Sequence, residues 1–181
     1  MRKHCFDGRF YTDGLTSIAD PHQVWAALCE AATGESARDI LNECLSSRSD
    51  SSLMLNDEDR PPSFTLVSTA MSFYTLRAFS LIEGTLYDDH FHSFWDPWRE
   101  QLSQNLTTWV EDSVSLRSDC HAWGSVPLYG FMAEVCGIRP AAPRWTKITF
   151  KPRVSLFEKL DAKVPLYSKD GDCSCEMEAG A

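Results

Sequence analysis

The strongest constraint on the fold of this chain is an apolar run between residues 64 and 83. Apolar side chains recur there at helical spacing and cover more than one face of a helix, and they include Leu66, Val67, Ala70, Met71, Phe73, Tyr74, Leu76 and Phe79. A helix of this kind is buried on most sides. The run therefore predicts a buried helix that neighbouring helices must cover, with Gly84 at its end.

Two shorter helices are predicted upstream of this run. Asp20-Pro21 is typical of a helix start, with Asp20 as the N-cap and Pro21 in the first turn, and apolar residues then recur from Val24 to Ala32. We expect Gly34 to end this helix and a second helix to begin near Ser36. Two short helices joined by a glycine turn predict an αα-hairpin.

Downstream of the run, residues 86–102 are amphipathic and are predicted to pack on it as a partner helix. Pro97 is expected to kink or restart that helix. Residues 105–123 are polar and irregular, and residues 126–135 form another apolar helical segment that Gly137 ends.

The pattern changes after Pro143. Residues 145–152 alternate between apolar and polar with period two, which predicts a strand, and residues 160–166 are expected to form another. The first 20 residues are predicted to be loop and turn, residues 46–63 an exposed loop, and the last ten a loose tail. The chain is thus predicted to be mainly α, with helical hairpins to about residue 137 followed by a β-rich piece.

Composition excludes several function classes. The 181 residues carry a formal net charge of −9, which argues against nucleic acid as a partner because phosphate binding needs a basic surface. No apolar run approaches the length of a membrane helix, and the N-terminus lacks the apolar core of a signal peptide. As written, the chain is expected in the cytoplasm, or to be secreted if it is part of a longer enzyme. The seven scattered Cys predict neither a disulfide framework nor a metal site.

Residues 106–125 carry the residue types of a binding site. They gather Trp109, Glu111, His121 and Trp123, with two Asp and an Arg, outside regular structure and between two apolar helices. Polar and aromatic groups on a loop held by a rigid scaffold are typical of binding sites. The alternative is that the charges are merely solvated and that the two Trp anchor the core.

The order of several motifs resembles α-L-rhamnosidases of glycoside hydrolase family 78. The elements are Thr-Thr-Trp-Val-Glu at 107–111, Ser-Asp-Cys-His-Ala-Trp-Gly-Ser at 118–125 and Gly-Ile-Arg-Pro at 137–140. Upstream, residues 72–78 resemble the barrel helix that precedes this region. The resemblance implies a partial (α/α)6 six-hairpin barrel of about three hairpins, followed by the first strands of a C-terminal β-sandwich. Residues 1–140 would be the C-terminal part of the catalytic domain, and residues 141–181 the start of the sandwich with a loose tail.

The resemblance also implies the chemistry. The family removes terminal α-L-rhamnose with inversion, which needs one carboxylic acid and one carboxylate on opposite sides of the glycosidic bond. Glu111 matches the general base of the family. His121 and Trp123 match residues that line the sugar subsite, and Trp109 falls on the aromatic position before the base. The implied ligand is a rhamnose-containing glycoside or oligosaccharide, and no metal or cofactor is expected.

The chain departs from the family in two ways. The acidic segment that carries the general acid of the family is missing ahead of residue 20, and Asp57-Glu58-Asp59 lies in the wrong place for it. Only about three of six hairpins fit. The chain is therefore either part of a longer enzyme, which we favour, or completes the barrel with another copy or a partner. On its own it is expected to show negligible rhamnosidase activity.

Two other functions stay open. The chain could be a non-catalytic helical protein that binds carbohydrate or protein, which a second carboxylate facing Glu111 would argue against. It could also be a different six-hairpin glycosidase, because pocket shape sets the substrate and the fold does not.

Overall fold

The computed structural model describes residues 5–12, 18–46, 64–65, 69–111, 118–168 and 171–180. The chain divides into two compact units, Met1–Ser125 and Val126–Ala181. The first is helical and the second contains most of the strands, which confirms a mainly α fold with a β-rich end. The predicted domain boundary at residues 140 and 141 stays a prediction.

The first unit is built from short helices. Those within the described residues are α1 (Asp20–Leu28), α2 (Gly34–Ser46), α3 (Ser72–Leu81), α4 (Leu86–Phe94) and α5 (Asp96–Ser103). Helix α1 packs on both α2 and α3, and α4 packs on α2, α3 and α5. Helices α1 and α2, α3 and α4, and α4 and α5 are thus neighbours in space, as hairpins require.

Two apolar clusters stabilise the described part of this unit. One joins the N-terminal segment to the first hairpin and contains Phe10, Tyr11, Ala26, Ala32, Ala37 and Ile40. The buried Gln23 clamps that segment, because its side-chain amide donates to the carbonyl of Tyr11 and accepts from the Tyr11 N–H at 2.8 Å. The other is aromatic and joins α3, α4 and α5 through the rings of Phe79, Phe91, Phe94, Trp95 and Trp98.

The helix predicted over residues 64–83 is shorter than expected. Phe64–Thr65 forms a two-residue strand, β2, which pairs in parallel with β1 (Ile18–Ala19), and helix α3 begins only at Ser72. Aromatic and β-branched residues suit extended backbone, and pairing with β1 gives that backbone its hydrogen bonds. Helix α3 is also not buried on most sides, since Tyr74 is 37% exposed and Leu81 is 57% exposed.

The first hairpin differs from its prediction in detail. Helix α1 ends at Leu28, and Gly34 is the first residue of α2, with a φ of +58°, where the second helix was expected to begin near Ser36. Trp25, predicted on the apolar face, is 42% exposed and lies with its ring 4.9 Å from that of Tyr74. The predicted loop over 46–63 lies almost wholly outside the described residues.

The restart at Pro97 is confirmed. Helix α4 ends at Phe94, Trp95 lies between the helices, and Pro97 occupies the first turn of α5. Proline is tolerated there because the first N–H groups of a helix have no partner within it.

The second unit opens with a helical segment, α6 (Val126–Gly130), which continues as a π-helical turn over Phe131–Val135. Strand β3 (Ile138–Pro140) pairs antiparallel with β4 (Ile148–Phe150), and β5 (Lys159–Ser168) with β6 (Gly171–Gly180). The strand prediction over 160–166 is confirmed, and that over 145–152 holds for its central three residues. The last residues were predicted to be a loose tail, which is wrong for 172–180, because β5 gives their backbone a partner.

The beginning of β3 and the glycine before it are held by close contacts. Gly137 has a φ of +67°, and a Cβ at this position would overlap the backbone at Lys151. The Arg139 side chain donates to the carbonyl of Ala133 at 2.9 Å and pairs with the buried Glu134. Arg139 thus satisfies a carbonyl at the end of the preceding helical segment. No helix within the described residues is long and apolar enough to span a bilayer.

Candidate functional site

The candidate site is built on two neighbouring backbone segments of the first unit. We call residues 106–111 the first arm and residues 118–125 the second arm; residues 112–117 between them lie outside the described residues. The N–H of Glu111 donates to the carbonyl of Ser118 at 2.9 Å, and the N–H of His121 donates to the carbonyl of Trp109 at 2.7 Å. The second arm ends in a 3₁₀ turn over Ala122–Ser125. The arms therefore run side by side, joined by main-chain hydrogen bonds.

Gly124 allows the arms to approach closely. A Cβ at Gly124 would lie 2.7 Å from the Cβ of Trp109 and 2.9 Å from the carbonyl oxygen of Val110. Real Cβ atoms almost never come so close to neighbouring atoms. Glycine is therefore required at this position by contact between the arms.

Helix α5 lies beneath both arms. The indole N–H of the buried Trp98 donates to the carbonyl of Gly124 at 2.7 Å. The side-chain oxygen of the buried Gln101 accepts from the N–H of Val110 at 3.4 Å. Sequence reasoning missed both contacts. No local signal marks them, because each joins residues that are distant along the chain.

The predicted site side chains lie in different environments. Glu111 and His121 are partly exposed, and Trp123 is 69% exposed. The rings of His121 and Trp123 lie 6.0 Å apart, edge to face at 79°. The Nδ1 atom of His121 is buried and has no hydrogen-bond partner among the described residues.

The four tryptophans between residues 95 and 123 separate into two groups by exposure. Trp95 and Trp98 are 3% and 4% exposed, so both belong to the core. Trp123 does not anchor the core of this chain, and Trp109 is partly exposed on the first arm. The core alternative for Trp123 is therefore removed.

The acidic residues near the arms are only partly described. Asp119 is exposed, and its carbonyl accepts the hydroxyl of Thr108, which ties the arms together once more. Asp112 and Arg117 lie outside the described residues, as does Asp57-Glu58-Asp59. Where the structure describes the chain, no three His, Cys, Asp or Glu side chains are grouped to hold a metal ion.

This arrangement suits a neutral, hydroxylated ligand. An exposed indole offers a flat apolar face, and the neighbouring imidazole offers hydrogen-bonding nitrogens. A carboxylate on the adjoining arm accepts hydrogen bonds from hydroxyl groups, or a proton from water.

A solved structure shows a similar fold. The crystal structure of a GH78 family rhamnosidase of Bacillus sp. GL1 superposes with a TM-score of 0.62 at 24% sequence identity, over 86% of this chain. The chain spans 16% of the length of that rhamnosidase. No protein-family model and no curated protein sequence matches the chain. The similarity establishes that the chain has a GH78-like fold over the superposed residues.

Proposed function

We propose that this chain is part of a glycoside hydrolase of the α-L-rhamnosidase type. Two observations support this: the fold similarity to a GH78 family rhamnosidase and the pairing of the two arms. The second carries the proposal, because main-chain hydrogen bonds join the segment that carries Glu111 to the segment that carries His121 and Trp123. A base and a sugar platform act together only when both are held close to one bound substrate.

In this proposal Glu111 is the general base. Its ionised carboxylate takes a proton from a water molecule as that water attacks the anomeric carbon, and the configuration at that carbon inverts. A second carboxyl group must protonate the leaving oxygen, and an inverting site places it about 6.5–9.5 Å from the base. That acid would come from outside the arms.

The sugar would bind on the second arm. Trp123 would contact the apolar C–H face of a terminal rhamnose, for which its exposed indole is suited. His121 would bond a sugar hydroxyl, and Trp109 would bound the subsite next to the base. The substrate would be a rhamnose-containing glycoside or oligosaccharide.

The fold similarity also supports an assignment of the chain within the parent enzyme. Residues 1–140 would be the C-terminal part of a six-hairpin catalytic domain, and residues 141–181 the beginning of a β-sandwich. The strands after residue 137 support this assignment. The missing general acid would then lie in an earlier part of the enzyme.

A chimera tests the proposed base. Residues 1–181 would replace the superposed stretch of the Bacillus rhamnosidase, which restores the rest of the barrel. We expect Glu111→Gln to lower the hydrolysis of an aryl α-L-rhamnoside by about 10²–10⁴-fold. The matched control, Asp119→Asn on the second arm, should change the rate much less. An active chimera that is insensitive to Glu111→Gln would contradict the proposal.

A non-catalytic carbohydrate-binding protein is the alternative. The exposed Trp123 favours it as much as it favours the enzyme, since a binding platform needs no acid or base. The alternative predicts that sugar binds to the chain and that Glu111→Gln has no effect on any activity of the chimera.

A further inference from the structure

We infer that Trp98 and Gln101 of helix α5 are positioning residues that hold the two arms in register. The inference rests on the proposed function only for the chemical roles of Glu111, His121 and Trp123. The contacts between α5 and the arms do not depend on those roles. Trp98 reaches the second arm and Gln101 reaches the first. One helix thus contacts both segments that carry the candidate site residues.

The spacing of the two residues explains how one helix reaches both arms. Residues three apart lie on the same face of an α-helix. Trp98 and Gln101 are three apart within α5, and they are 4% and 5% exposed. The face of α5 that lies under the arms is therefore partly polar, and its polar atoms bond the arms.

The bonding atoms lie close to the candidate site residues along the chain. Gly124, which accepts the Trp98 indole N–H, directly follows Trp123 and lies three residues after His121. Val110, whose N–H bonds Gln101, directly precedes Glu111. Each of these two bonded residues, Gly124 and Val110, has a candidate site residue no more than three positions away along the chain. A displacement of either one would therefore displace a site residue as well.

Both contacts are buried, so the loss of either one should cost more free energy than the loss of an exposed hydrogen bond. Val110 and Gly124 are buried, so water cannot readily replace a lost partner for the Val110 N–H or the Gly124 carbonyl. An unpaired buried backbone group costs more than the hydrogen bond itself contributes. The aromatic packing of Trp98 on Phe94, with ring centroids 5.9 Å apart, fixes the direction of its indole N–H.

The test measures amide hydrogen exchange in the complete chain by NMR. Trp98→Phe keeps an aromatic ring and removes the indole N–H, while Gln101→Met keeps the length of the side chain and removes its acceptor. The informative amides are those of Glu111 and His121, which join the arms but bond neither Trp98 nor Gln101. Phe79→Leu is the matched control, because it weakens the same aromatic core without contacting the arms through a hydrogen bond.

We expect both variants to speed exchange at the cross-arm amides by roughly tenfold over the Phe79→Leu control. Rates within twofold of that control, in either variant that folds, would overturn the inference. If Trp98→Phe does not fold, the exchange rates of Gln101→Met alone decide whether α5 holds the arms. Gln101→Met is expected to fold because it alters the side chain less.

Titration of the same proteins with L-rhamnose keeps the two proposals separate. If the wild-type chain binds no rhamnose, the proposed function is weakened while the exchange rates still decide the role of α5. If rhamnose binds and the variants exchange like the control, the positioning role fails and the proposed function stands.

Discussion

The aromatic core of helices α3–α5 and the two arms use the same residue types in opposite environments. Trp95 is 3% exposed among aromatic neighbours, whereas Trp123 is 69% exposed and has the ring of His121 beside it. Buried aromatic surface stabilises the fold, while an exposed indole beside polar groups is free to contact a ligand. The comparison teaches that burial among aromatic neighbours separates scaffold from candidate site at these two tryptophans, although the residue type is the same.

The largest expected effect is in the core. Trp95→Ala should lower the free energy of unfolding by about 3–5 kcal/mol, because it removes a large buried side chain and leaves a cavity. Chemical denaturation followed by circular dichroism measures this change. A loss below about 1 kcal/mol would show that the aromatic cluster is not the scaffold, and the comparison would fail.

The junction between the regions should respond less strongly. Gly124→Ala inserts a methyl group where a Cβ would meet Trp109 and Val110, and we expect a loss of about 1–3 kcal/mol. NMR shift changes should concentrate on the arms and leave helices α1 and α2 unchanged. Uniform changes across the first unit would show that the arms are not a separate local structure.

A weaker, pH-dependent effect is expected from the scaffold. Burial lowers the pKa of His90 on α4 below its ordinary value of 6.5, partly opposed by the charge of Asp89. The unfolded chain therefore takes up a proton more readily, so this contribution is complete above pH 6.5 and is lost as pH falls towards the lowered pKa. His90→Gln, which can still bond Asn42, should remove this slope from denaturation curves measured across that range. An unchanged slope would contradict the prediction.

The smallest effect on stability should come from the site itself. Trp123→Ala should change the free energy of unfolding by no more than about 0.5 kcal/mol, since its side chain is largely exposed. The same denaturation experiment measures it against Trp95→Ala. If Trp123→Ala lowered the free energy of unfolding as much as Trp95→Ala does, Trp123 would belong to the core.

Sequence alone predicted the parts of this fold that depend on local pattern. Pro97 restarts a helix because its missing N–H is tolerated only in the first turn, and the apolar spacing of 86–102 follows from burial of one face. The shortened helix at 64–83 and the strand at 171–180 were mispredicted because pairing with residues distant in sequence decides both.

In the candidate site, too, the features set by local sequence were predictable and those set by tertiary contacts were not. Residue types on the loop indicated where a site would lie, and the family resemblance assigned roles to Glu111 and His121. The hydrogen bonds that Trp98 donates and Gln101 accepts could not be predicted, because they depend on how α5 lies under the arms. Local sequence patterns carry no information about such tertiary contacts.

The central claim is that the two arms present a sugar subsite, and an NMR titration of the ¹⁵N-labelled chain with L-rhamnose tests it most directly. The account predicts saturable shifts at the indole N–H of Trp123 and the amide of His121, which Trp123→Ala abolishes and which D-glucose does not reproduce. Trp25→Ala removes another exposed indole, 42% accessible and outside the arms, and should leave these shifts intact. The account would be contradicted if rhamnose shifted neither signal. It would also be contradicted if Trp123→Ala and Trp25→Ala changed the rhamnose-induced shifts equally.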